Sequence, residues 1–136
     1  GMTRFVIDAA TLIAVLADGG TFDPAHQLVA PASVRSQALE LLLGRVRAGE
    51  LAERDALALH TRLTETRLRL LNDRVSRRAA WDLALAQGWN SLRDAEYLAL
   101  VRLQADALVT VDERLAGLAR GLVPIADLRD VLASPG

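Results

Sequence analysis

Apolar positions along the chain fall into short unbroken runs separated by longer stretches with helical spacing. Phe5-Val6-Ile7, opened by Arg4 and closed by Asp8, is the kind of run that a buried strand shows. Ala9 to Ala17 then reads as a helix, closed by Gly19-Gly20. Gln27 to Ala30 is a second short apolar run, and Pro31 follows at a position suited to a helix start. From Pro31 to Ala48 apolar residues recur with helical period until Gly49. Residues 53–71 read as one long Leu/Arg helix, broken at Asn72-Asp73, and a further helix runs from Arg74 to Gln87 before Gly88. Ser91 with Asp94 has the spacing of a capping box for a helix reaching Gln104. Ala107 to Val111 is β-like, Asp112 to Ala119 helical, Leu122 to Ile125 β-like again, and residues 127–132 form a short closing helix. Short strands alternating with helices predict an α/β fold: a short, mainly parallel sheet with helices on both faces.

The 136 residues suffice for one domain, and neither repeats nor a low-complexity linker divide them. Gly1 before Met2 reads as the remnant of a removed tag. No apolar run approaches membrane-spanning length and there is no signal-peptide pattern, so a cytoplasmic location is expected. The absence of cysteine excludes disulfides, thiolate zinc sites and cysteine nucleophiles. With only His26 and His60, both read as structural, metal chemistry here has to use oxygen ligands, which suits Mg²⁺ or Mn²⁺. No P-loop, dinucleotide-binding glycine run or nucleophile elbow is present.

The formal net charge of −1 gives no global field for nucleic acid, although all sixteen basic residues are arginine, which suits phosphate contacts. Arg62, Arg67, Arg69, Arg74, Arg77 and Arg78 concentrate positive charge before the Asp94 segment. They are either a backbone-binding surface, with Arg74, Arg77 and Arg78 the nearest to Asp94, or a solvated face balanced by Glu65, Asp73 and Asp82. Trp81 and Trp89 are expected in the core, with a partner surface as the alternative.

Three acids stand where an α/β sheet gathers its ligands, beyond the carboxyl ends of strands. Asp8 closes the first strand, Asp112 closes Leu108-Val109-Thr110-Val111, and Asp94 lies in the first turn of a helix. Taken singly, Asp94 and Asp112 also read as helix-capping acids. Taken together, they could share one rim, where carboxylates repel one another and a hard dication relieves the repulsion. Thr110 could add a hydroxyl to that rim. Glu113 is a fourth acid there or simply a favourable first-turn charge.

The residues Val6-Ile7-Asp8-Ala9-Ala10-Thr11-Leu12-Ile13, Leu28-Val29-Ala30-Pro31, Asp94-Ala95-Glu96-Tyr97 and Leu108-Val109-Thr110-Val111-Asp112 together resemble the PIN-domain family, and within it the VapC-like ribonuclease toxins. The resemblance spans residues 4 to about 132. It implies a PIN-like three-layer α/β/α fold and a Mg²⁺- or Mn²⁺-dependent endoribonuclease with Asp8, Asp94 and Asp112 as catalytic metal ligands. It further implies a homodimer and a small VapB-like antitoxin partner.

Two positions depart from the family pattern. A glutamate is expected six residues after Pro31, where Gln37 stands, and Ala10 replaces a serine or asparagine. Gln37 offers an oxygen without charge. Glu40, at i+3, projects from nearly the same side of the helix, with Ser36, Gln37, Glu40 and Arg47 expected on its polar face and Val34, Ala38, Leu41 and Leu42 on its core face. These departures leave open a second reading, a PIN-like binding module that has lost catalysis. A third is a metal-dependent phosphatase or DNA nuclease on a similar site, since carboxylate sites do not name their phosphoester.

Overall fold

In the computed structural model, which describes residues 2–134, four short strands form one sheet: β1 (Arg4–Ile7), β2 (Gln27–Pro31), β3 (Arg69–Leu71) and β4 (Ala107–Val109). Their order is β3-β2-β1-β4 and every pairing is parallel, with Val6 opposite both Val29 and Leu108. The connecting helices are α1 (Ala9–Ala17), α2 (Val34–Arg47), α3 (Glu53–Glu65), α4 (Arg74–Gln87), α5 (Leu92–Gln104) and α6 (Glu113–Ala119), followed by a 3₁₀ turn at Leu128–Asp130.

Alternate strand residues feed two cores. Phe5, Ile7, Leu28, Ala30, Ala107 and Val109 pack with α1, α2 and α3 through side chains such as Leu12, Leu42 and Leu63. Val6, Val29 and Leu108 face the other way, onto Leu83 of α4, Leu98 of α5 and Leu115 of α6. Both faces of each central strand are covered, so these strands read as unbroken apolar runs. The result is the expected three-layer α/β/α arrangement.

The topology also locates a crevice. From β1 the chain steps outward to β2 and β3 with α1–α3 on one face, then returns across β1 to β4 with α4 and α5 on the other. Crossovers of constant hand require that change of face when the direction of winding reverses. The reversal lies between β1 and β4, and the gap beyond their carboxyl ends is where such a sheet leaves room for a ligand.

Four local expectations are corrected. The long helix over 53–71 ends at Glu65, Thr66 turns extended, and residues 69–71 are strand β3. Three residues are too few to show a period of two, and Leu70 and Leu71 pack on opposite cores as strand neighbours do. Pro31 closes β2 rather than opening α2. Its missing N–H costs the ladder nothing there, because the next amide, Ala32, makes the bond to Leu71, and α2 begins at Val34. Leu122 to Ile125 forms only a bridge, Ile125 to Leu108, beside β4. Trp81 is 55% exposed on α4, while Trp89 is half-buried against the second core.

Leu98 is fully buried at the centre of α5, the helix that carries Asp94, whereas Leu85 on α4 is 72% exposed. Leu98→Ala is expected to cost about 2–5 kcal/mol in denaturant unfolding. Leu85→Ala should change stability by about 0.5 kcal/mol or less.

Candidate functional site

Asp8 occupies the N-cap position of α1, yet its carboxylate makes no capping bond. Its Oδ1 accepts from the Thr11 hydroxyl and its Oδ2 from the Thr110 hydroxyl at 3.0 Å. Each threonine is itself held: Thr11 Oγ1 accepts from the Val111 amide at 2.9 Å, and Thr110 Oγ1 from the Asp112 amide at 3.0 Å. The ends of β1 and β4 are thereby laced together around Asp8, which is only 5% exposed and bonds two hydroxyls rather than the free amides of α1. Burial pushes its pKa up, the two hydroxyls oppose that, and the nearby charge of Asp112 pushes it up further.

Asp112 does cap its helix: Oδ1 accepts from the amides of Arg114 at 2.9 Å and Leu115 at 3.3 Å. Asp94 sits at the third position of α5, where Ser91 caps through Arg93 N at 3.2 Å. The capping box stays half-made, because both Asp94 oxygens turn to Arg114, accepting from Nη1 at 2.7 Å and Nη2 at 2.9 Å. Hydrogen bonding to Asp94, and then its charge, hold the Arg114 pKa above its ordinary value. Arg114 Nη2 also lies 3.7 Å from Asp112 Oδ2.

Asp8, Asp94 and Asp112 line one cavity of about 260 Å³ together with Ala10, Gln37, Glu40, Arg93, Tyr97 and Arg114. Gln37, placed on the polar face of α2 by its period, is 9% exposed, and Leu41, placed in the core, is 44% exposed. The Gln37 amide is internally satisfied: Oε1 accepts from the Tyr97 hydroxyl at 2.7 Å and Nε2 donates to Ser33 Oγ at 2.9 Å. Burial, and secondarily the charge of Asp8, keep Tyr97 protonated well above the ordinary phenol range. Glu40 is exposed at the mouth, 3.8 Å from Arg93.

Glu113 is exposed and does not line this cavity. Neither do Arg74, Arg77 and Arg78. Arg77 bonds the Asn72 carbonyl, and Arg78 pairs with Asp82 on the exposed face of α4. The arginines that reach the acids are instead Arg93 and Arg114, which the sequence reading passed over. Their adjacency to Asp94 and to the Asp112 cap is the signal that would have found them. Thr11 was likewise missed as a ligand of Asp8, although it lies one turn along from it. His26 packs edge-on to Phe5 with ring centroids 5.3 Å apart, in keeping with a structural role.

The oxygen-only chemistry of this donor set fits a hard dication. Four carboxylates face two guanidiniums around the cavity, an excess of two negative charges. As the side chains stand, however, no group of three or more acidic or histidine side chains among the described residues is arranged to hold a metal ion. Both oxygens of Asp94 are engaged by Arg114.

No family model matches the sequence, and no curated protein does. Four solved chains match it in structure. One, the crystal structure of PAE2754 from Pyrobaculum aerophilum, superposes with a TM-score of 0.69 at 18% identity, over 96% of this chain and 94% of that one. The likeness confirms the fold. Among the described residues no helix is long and apolar enough to cross a membrane.

The raised pKa of Asp8 has a definite sign. A carboxyl that holds its proton more tightly when folded favours folding while protonated, so this contribution fades as pH rises through the folded pKa. Asp8→Asn removes that loss. Thermal melts from pH 4 to 8 should show the variant gaining on the unaltered chain toward neutral pH; a variant losing ground there would contradict the assignment.

Proposed function

We propose that this chain is a metal-dependent endoribonuclease of the VapC-like type, using Mg²⁺ or Mn²⁺ to hydrolyse RNA phosphodiesters in the cytoplasm. The observation that carries the reading is the convergence of Asp8, Asp94 and Asp112, from three separate segments, on one cavity at the β1–β4 switch point. Asp8 and Asp112, with Asp94 once it is free of Arg114, would hold the ion. When bound, a divalent cation there lowers the pKa of a water and offsets charge developing on the attacked phosphate.

The chain's own groups divide the remaining work. Thr11 and Thr110 fix the Asp8 carboxylate so that both its oxygens stay oriented. Tyr97 and Gln37 close the floor of the cavity with a neutral hydrogen bond. Glu40 supplies, at the mouth, negative charge that Gln37 does not. Arg93 and Arg114 put donors for phosphate at the edge of the acidic cavity, which a polyanion would otherwise avoid. The resemblance also points to a homodimer with a VapB-like antitoxin partner. Trp81 and Leu85, exposed one turn apart on α4, support a partner surface.

A second reading, a binding module without catalysis, is favoured by one observation: Gln37 is neutral and already satisfied by Tyr97 and Ser33. The two readings separate in one assay. With Mn²⁺, the nuclease reading expects cleavage of single-stranded RNA in preference to DNA, and loss of cleavage by about a hundredfold or more in Asp8→Asn with its melting transition retained. Full activity in Asp8→Asn contradicts the nuclease mechanism. RNA bound but left intact by the unaltered chain supports the binding module.

A further inference from the structure

We infer that Arg114 is the resident counter-ion of this cavity and competes with a divalent cation for Asp94, so that an ion binds by displacing the guanidinium. The inference rests on the metal-dependent reading above and specifies how its site is occupied. Both Asp94 oxygens are engaged by the two ends of one guanidinium, at 2.7 and 2.9 Å, and the same group reaches toward Asp112 at 3.7 Å. A carboxylate clasped in that fork has few lone pairs left for another cation. The guanidinium thus bridges the two acids that α5 and α6 contribute, which is where positive charge is needed.

The clasp is built to open. The Arg114 side chain is 62% exposed while that of Asp94 is 18% exposed, so the base can swing into water while the acid stays in the cavity. The backbone amide of Arg114 keeps its bond to Asp112 Oδ1 whichever way the side chain points, so α6 retains its cap. Among the described residues the fork makes hydrogen bonds to Asp94 alone. An ion pair with one largely solvated partner is weak enough for a dication to replace. A lysine would make a looser contact, because an ammonium cannot bond both oxygens in parallel.

Calorimetric titration with Mn²⁺ tests this on the full chain and on Arg114→Gln, Arg114→Lys and Asp94→Asn. Arg114→Gln should bind Mn²⁺ about five- to tenfold more tightly than the unaltered chain. Arg114→Lys should fall between them, and Asp94→Asn should bind more weakly. Melting curves in EDTA establish that each variant is folded. If Arg114 were only a brace between α5 and α6, Arg114→Gln would melt lower with its Mn²⁺ affinity unchanged. Equal or weaker affinity in Arg114→Gln, with binding still weakened in Asp94→Asn, overturns the competition and leaves the metal site standing. No Mn²⁺ binding by any variant, Arg114→Gln included, removes the metal site and this inference with it.

Discussion

Carboxylates gathered at the end of a parallel sheet repel one another, and the fold can hold them there only if something supplies the opposing charge or hydrogen bonds. Here the supply is divided. Asp8 is buried and lives on two threonine hydroxyls, Asp112 on the amides of its own helix, and Asp94 on the Arg114 guanidinium. Asp8 keeps supports of its own, Arg114 spans the other two acids, and the cavity between the three keeps a surplus of negative charge. The structure beneath exists to keep these three anchors in register. Two central strands end at the same level, and two helices begin beside them.

That register follows from the winding of the chain. Strands β1 and β4 are neighbours because the chain reverses direction after β3, and the reversal leaves the crevice uncovered. The threonine bonds then tie the two strand ends across it, Thr110 to Asp8 and Thr11 to Val111. A single lattice of hydrogen bonds therefore joins the sheet's switch point to the acids. This is why Asp8 forgoes the capping role that its place before α1 would ordinarily give it.

Much of this was legible in the residues. The strands β1, β2 and β4 announced themselves as apolar runs, and the limits of α1 and α4 follow from their glycine and aspartate punctuation. Asp8 and Asp112 could be placed at the site because each directly follows such a run. Strand β3 was hidden because three residues, Arg69 to Leu71, carry no readable period, and Pro31 misled because its helix-start preference is stronger in isolation than its place at a strand end. The polarity of the cavity was the least visible part. Gln37 is polar by type and buried by position, since Tyr97, sixty residues away, satisfies it. Arg114 meets Asp94 only because the fold brings the first turns of α5 and α6 within side-chain reach, a pairing that periodicity along either helix does not contain.

The most direct test of the central claim, that three distant aspartates form one cation-binding site, is an anomalous diffraction map from crystals grown with Mn²⁺. The predicted result is a single strong peak in the cavity, in contact with carboxylate oxygens of Asp8, Asp94 and Asp112, with the Arg114 side chain turned away from Asp94. A cavity without a peak at saturating Mn²⁺, with Arg114 still clasping Asp94, would contradict it.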